Sequence, residues 1–392
     1  MTSPLISAFD VLDHWLSEFK PLWDIESFKS LDWPWAQSHS ALCDWLEQQP
    51  AAPNAEQVQS ALERVWPGFI SAPASDFLED LPNASFEEPP SYFSQGIKGR
   101  KWQQITAFSR TTQPVSPVVE WCAGKGHLGK VLAYQYKAQV HSLEWQQSLC
   151  DAGQDQAKRL KLPQMFTCTD VLKGEGKVPL KDARSAVALH ACGDLHRVLI
   201  EQGIDAGLQS IQLSPCCYHL TAQERYQPLS VKAQHAKLKL TRDNLKLAVK
   251  EVATAGAREQ GLKQTELVYR LGFDAWQRAA TGKDLYMNVP SCAKSLLNEG
   301  FDAFCHWAMA QKQLTHLREK LPTNGFEEIG IERAVRVAKV EAITHYFRRP
   351  LELWLVLDRA ISLEEAGYSV RLGEFCDKSL TPRNLMISAQ KS

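Results

Sequence analysis

The chain predicts an α/β fold: a seven-stranded, mostly parallel sheet with helices on both faces, preceded by a helical amino-terminal domain and interrupted by a helical insert. Three observations carry that expectation. From residue 117 onward short apolar runs alternate with helical periodicities, the pattern of strands joined by crossover helices. At Val118–Gly129 one such run passes through a glycine turn into the amphipathic spacing of Leu128, Val131 and Leu132. The chain then ends on a helix-sized segment and two closely spaced strand-like runs, which would close the sheet with an antiparallel hairpin.

Bulk properties narrow the class. At 392 residues one large domain plus a smaller one is expected. A hydrophobic content of 44% and a charged content of 23% suit a soluble globular protein. No apolar run is long enough for a bilayer and no basic-then-apolar leader opens the chain, so a cytoplasmic protein without membrane attachment is expected. Ten scattered cysteines without a C-x-x-C pair read as reduced thiols, and no metal is expected. The net charge of −1 is uneven: residues 1 to 97 hold fifteen Asp and Glu against Lys20, Lys29 and Arg64, a balance of −12, which leaves +11 on the rest. That basic remainder could grip a nucleic acid, or an acidic domain could cover a mildly basic one.

In chain order, residues 1–95 form an acidic, Trp-rich helical domain. Phe9, Leu12, Trp15 and Leu16 have helical spacing, and six of the twelve tryptophans fall here, more simply as core than as a stacking surface. Pro82 to Pro90 reads as a linker. The basic stretch Gly96–Trp102 could bind a phosphate, lie along an acceptor channel or only solvate a helix start.

Residues 96–220 form a cofactor-binding part with five strands. The first ends at Glu120, ahead of Cys122, Gly124, Lys125, Gly126 and Leu128. Gly124, Gly126 and Gly129 satisfy G-x-G-x-x-G, with Glu144 about 20 residues on, so an NAD-dependent oxidoreductase is one reading. Glu120 argues for another, since a carboxylate there would repel a pyrophosphate and attract the ammonium and sulfonium of S-adenosylmethionine. The second strand, 139–144, ends in Glu144, placed for ribose hydroxyls. The third, 165–171, carries Asp170 and Val171, placed for the adenine. The fourth, 185–194, presents His190, Cys192 and Asp194 at its carboxyl end, His190 as a base or an adenine stacker. The fifth leads into Cys216-Cys217-Tyr218-His219. The adjacent cysteines could be reactive thiols, metal ligands or buried small apolar residues, although neighbouring positions rarely bind one zinc well; Tyr218 and His219, supported by Asp194, are the better candidates for an acceptor-side pair.

Residues 221–345 break the alternation with Lys- and Arg-dotted helices, read as an acceptor cap or a solvated face. Residues 346–392 resume it: a helix from Pro350 to Ala366, Gly367, a strand from Tyr368 to Phe375, a turn at Thr381–Asn384 and a strand from Leu385 to Ala389.

Glu120-x-Cys122-Ala123-Gly124-Lys125-Gly126-His127-Leu128, Leu189-His190-Ala191-Cys192-Gly193-Asp194-Leu195, Cys216-Cys217-Tyr218-His219-Leu220 and the ending Leu357 through Leu385 resemble class I methyltransferases of the methyltransferase-like-25 group. A related pattern, with histidine in place of the tyrosine, occurs in the tRNA 2′-O-methyltransferases that modify the acceptor stem; their zinc-binding segments are missing here. The likeness covers roughly residues 98 to 390, the long insert matching poorly. It implies a Rossmann-like methyltransferase sheet binding S-adenosylmethionine, with Glu120, Gly124 and Gly126 at the methionine part, Glu144 at the ribose and Asp170 at the adenine. It also makes the Cys216–His219 loop an acceptor-side wall. The basic remainder and the tRNA-enzyme likeness favour RNA over protein or a small molecule as acceptor. A non-catalytic protein that only binds S-adenosylmethionine is a further alternative.

Overall fold

A computed structural model describes residues 3–83, 86–250, 257–319 and 321–391. Residues 84 and 85 of the expected linker and 251–256 of the expected insert lie outside the described residues. The chain forms two compact units, one of Met1–Glu18, Ala72–Ala253 and Arg348–Ser392, the other of Phe19–Ser71 and Thr254–Phe347. These do not follow the expected segments: residues 1–95 contribute to both units, and 221–250 belong with the sheet.

The first unit holds β1 (Val118–Trp121), β2 (Val140–Glu144), β3 (Gln164–Cys168), β4 (Ser185–Cys192), β5 (Ser210–Cys216), β6 (Tyr368–Glu374) and β7 (Leu385–Lys391). They form one sheet in the order β3-β2-β1-β4-β5-β7-β6. β1 to β5 are parallel, and β7 runs antiparallel to both β5 and β6. Every residue of β1 and β5 is buried, as a sheet covered on both faces requires. The order reverses between β1 and β4, which opens a crevice at their carboxyl ends.

Two element ends differ from expectation for local reasons. β3 stops at Cys168 because Asp170 caps the short 3-10 turn Val171–Lys173, its Oδ1 accepting from the Leu172 amide at 3.1 Å. The last helix begins at Arg348, two residues ahead of Pro350, since proline is tolerated in a first helical turn.

That helix, Arg348–Glu365, is buried along most of its length and packs on the helix Pro4–Glu18. Two buried carboxylates tie the intervening chain to it. Asp358 accepts from the Leu229 amide at 2.9 Å, from the Ser230 amide at 2.8 Å and hydroxyl at 2.7 Å, and from the Tyr226 hydroxyl. Asp13 accepts from Trp354 Nε1 at 3.1 Å and from the amides of Lys237 and Leu238 at 2.8 and 3.1 Å.

The second unit is helical, built on Ala257–Thr281 and Phe326–Tyr346. These helices approach closely through glycines: a Cβ at Gly272 would meet the Phe326 carbonyl at 2.5 Å, and one at Gly330 the Val268 carbonyl at 2.4 Å. Its core gathers Phe273, Trp276, Phe304 and Met309. The buried Asp274 pairs with Arg278 at 3.0 Å and Arg333 at 2.8 Å. Of the amino-terminal tryptophans, Trp15, Trp23, Trp33, Trp35 and Trp66 are buried and Trp45 half-buried, so they serve as core. No helix of the described residues is long and apolar enough to cross a membrane.

Asp13→Ala would leave two interior donors, Trp354 Nε1 and the Leu238 amide, without their acceptor, and the part-buried Lys237 amide as well. The expected loss of unfolding free energy is about 3 kcal/mol, read from urea denaturation.

Candidate active site

The chain leaves β1 through Cys122, Gly124 and Gly126, with φ of 55°, 58° and 67°. Gly126 opens the helix His127–Gln135, whose Leu128, Val131 and Leu132 are buried as their spacing predicts. Beneath this turn lies a buried polar network. Glu120, 3% exposed, accepts from Ser142 Oγ at 2.6 Å and from the amides of Leu128 and Gly129. Gln164 Nε2 donates to the Gly126 carbonyl and to Ser142 Oγ, both at 2.9 Å. Burial raises the Glu120 carboxyl to about 7, against those hydrogen bonds and the Lys101 ammonium, which lower it. The expected exposure of Glu120 to a cationic ligand is therefore corrected: the helix-start amides turn it inward, where it supports the turn.

Glu144, at the end of β2, accepts from the Gly124 amide at 2.9 Å and the Gln146 amide at 3.1 Å. Beside it is a cavity of about 400 Å³ whose walls include Cys122, Glu144, Trp145, Asp170, Val171 and Leu172. The structure thus brings together Cys122, Glu144, Asp170 and Val171, with Gly124 held by its amide. Lys125 is exposed, and Gly126 and Leu128 pack within the turn. Trp145 and Leu172 were not singled out by sequence; at 69% and 55% exposure they give the cavity apolar walls suited to a flat base. The signal was there, since each follows closely on a strand-end acid. A larger cavity, about 600 Å³, lies at the amino ends of β1 to β3, whereas ligands of open α/β sheets bind at carboxyl ends.

Across the crevice, β4 has a register shift between Leu189 and Ala191, and His190 takes φ 66°. His190 Nε2 lies 3.2 Å from Gln104 Oε1, and burial, with Lys101 and Arg383 adding to it, pushes the imidazole down to about 3. So low a proton affinity makes it a poor base near neutral pH, and it lies outside the cavity walls, which corrects both the base and the adenine-stacking roles. Asp194 Oδ2 accepts from the Ala222 amide at 3.0 Å, and its own amide donates to the Leu220 carbonyl at 3.0 Å. It holds the following loop by backbone and bonds to neither the Tyr218 nor the His219 side chain.

Tyr218 is only 2% exposed. Its ring stands edge-on to His196 at 5.5 Å with the Arg359 guanidinium 4.7 Å from its centroid, and burial pushes the phenol well above its usual range. It is an interior residue and not an acceptor-side base. His219, half-buried, remains beside Cys217. The thiols of Cys192, Cys216 and Cys217 lie within 4.8 Å of one another, so the two adjacent cysteines, which sequence spacing alone disfavours as joint ligands, are brought together with a third.

Sequence reasoning gave Lys101 only a general basic role. Its ammonium is near enough to Cys192, Cys216 and Glu120 for their charges to act on it, and burial lowers its pKa. The helix Gly99–Thr111 places it there.

Residues 100–224 match a family model described as a methyltransferase domain. The match spans the glycine turn, the cavity and the cysteine loop, and with the sheet order it supports a class I methyltransferase. No curated protein matches the chain. Similar solved structures include the bifunctional kinase-methyltransferase WbdD, at 15% identity over 34% of this chain and 32% of that one, TM-score 0.22. An rRNA methylase from Streptococcus thermophilus is 14% identical over 30% of this chain and 73% of that one, TM-score 0.22. A geranyl diphosphate C-methyltransferase from Streptomyces coelicolor A3(2), in complex with S-adenosyl-L-homocysteine, is 8% identical over 88% and 100%, TM-score 0.23. The chain spans about a third of WbdD, and all three likenesses are distant.

Glu120 holds its proton more tightly folded than unfolded. Its contribution to stability is therefore full below about pH 4.5 and is lost as pH rises through about 7. Glu120→Gln cannot ionise, so the wild-type stability relative to the variant falls by about 3 kcal/mol across that window, measured by denaturation at stepped pH.

Proposed function

We propose that the protein is an S-adenosylmethionine-dependent methyltransferase whose donor places its adenosine in the cavity between Glu144 and Asp170. The observation that carries this reading is Glu144: a buried carboxylate at the end of β2, oriented by the Gly124 amide at the wall of an apolar-sided cavity. Glu144 would take the ribose hydroxyls, Asp170 the adenine amino group, and Trp145 and Leu172 its faces. Lys101, a cation reaching the same crevice, would take the carboxylate of the methionine part. Bound donor supplies an electrophilic methyl group; the residues of the chain hold and align it.

The rival nicotinamide reading is disfavoured by Glu120, which already accepts from the Leu128 and Gly129 amides that a pyrophosphate would need at this helix start. On the segments 189–195 and 216–220 we place the chain with the methyltransferase-like-25 group, and on its charge asymmetry we propose RNA as acceptor in a cytoplasmic setting.

Glu144→Gln removes a charged acceptor worth about 1.5–3 kcal/mol, so the Kd for S-adenosylhomocysteine should rise roughly 10- to 100-fold while the fold is retained. Unchanged affinity, or thermal protection of the wild type by NAD instead, would overturn the donor assignment. Incubation with isotopically labelled donor and extracts lacking the protein should put label into RNA. Label in protein or small molecules would reassign the acceptor, and none in any fraction, despite donor binding, would leave a binding protein.

A further inference from the structure

The three thiols at the carboxyl ends of β4 and β5 belong to no part of the donor site. Their convergence is built by two backbone departures. The register shift at His190 adds one residue to β4, so Cys192 comes opposite Cys216 in the sheet. Cys217 then adopts φ 48°, a left-handed conformation that side chains other than glycine and asparagine rarely take. Its thiol thereby joins that of its neighbour. Cys192 Sγ and Cys216 Sγ are 3.5 Å apart, and all three sulfurs fall within 4.8 Å of one another. Thiolates on a tetrahedral zinc, at about 2.3 Å from the metal, stand about 3.8 Å apart, between those two values.

We propose that Cys192, Cys216 and Cys217 bind a thiophilic divalent cation, zinc, through their three sulfurs, leaving one tetrahedral position for a ligand from outside the trio. Three sulfurs with no carboxylate among them select zinc over magnesium or calcium. The surroundings suit the charge that results, since a zinc tris-thiolate carries −1 and the cations Lys101 and Arg383 act on the cysteines. Binding exchanges S–H protons for Zn–S bonds and releases them to solvent, so affinity weakens as pH falls. The cluster neighbours the donor cavity through Cys122, whose thiol feels the charge of Cys192 and lines the cavity wall. Metal binding at the cluster does not depend on methyl transfer.

The test uses the full chain, purified under a thiol reductant and dialysed against zinc. Elemental analysis should find about one zinc per chain. Cobalt in its place should show the intense thiolate-to-metal charge-transfer band and the visible bands of a tetrahedral site. Cys192→Ser/Cys216→Ser/Cys217→Ser should lose both signals, whereas Cys168→Ser, outside the cluster, should keep them. Far-UV circular dichroism checks that each variant is folded. Reduced wild type with only a small fraction of zinc and no cobalt charge-transfer band overturns the proposal without any variant. A Cys192–Cys216 disulfide in chain purified without reductant, with no zinc taken up after reduction, overturns it too and points to a redox pair.

Discussion

A carboxyl group held inside the protein, against the first turn of a helix, governs the geometry of the glycine turn after β1. Glu120 is removed from water, which raises its pKa to about 7, and its position is tolerated because Ser142 and two backbone amides satisfy it. The helix-start amides carry partial positive charge and offset part of the cost of burying an ionisable group there. The glycines follow from this arrangement. A Cβ at Gly129 would stand 2.4 Å from Glu120 Oε2, and one at Gly126 would stand 2.3 Å from the Phe166 ring. Gly124 is different: nothing crowds its Cβ position, and its part is a backbone at φ 58° whose amide reaches Glu144.

The same rim is shaped on its other side by irregular backbone. His190 and Cys217 both sit at positive φ without being glycine, each costing about 1 kcal/mol or more. Neighbouring structure holds them there. Gly193, at φ 55°, lies so near the Leu220 carbonyl that a Cβ would fall 1.9 Å from its oxygen, and the Gly193 amide donates to the Cys216 carbonyl. Strain of this kind gathers where side chains must be re-aimed, and here it aims three sulfurs at one point.

Burial sorts the ionisable groups by function more sharply than residue type does. Histidine and tyrosine at a strand end suggest a base, yet burial leaves His190 with too little proton affinity for that work and Tyr218 lies inside, against Arg359 and His196. Arg359 donates to His196 Nε2 at 2.7 Å and to the Tyr226 hydroxyl at 2.9 Å, so this interior network fastens the chain after β5 to the carboxyl-terminal helix. Tyr218 belongs to that fastening.

Most of the fold was legible in local pattern. Apolar runs between turn residues marked all seven strands, and the spacing of Leu128, Val131 and Leu132 marked the helix after the turn, because side-chain periodicity is a property of neighbouring residues. That Glu144, Asp170 and Cys122 would come together was legible for the same reason: each lies at or just after a strand end, and strand ends in such a sheet share one rim, where the three line one cavity. The direction of a side chain within that rim was decided by contacts from distant parts of the chain. Gln164 and Ser142 receive Glu120, residues 19–71 pack with 254–347, and the register of β4 against β5 gathers Cys192 with Cys216. Sequence thus determined which elements form and which residues stand at their ends, through short-range periodicity and turn chemistry. Only the tertiary structure decided which of those residues face a ligand and which are spent on packing, because burial and hydrogen-bond satisfaction depend on partners far away in the chain.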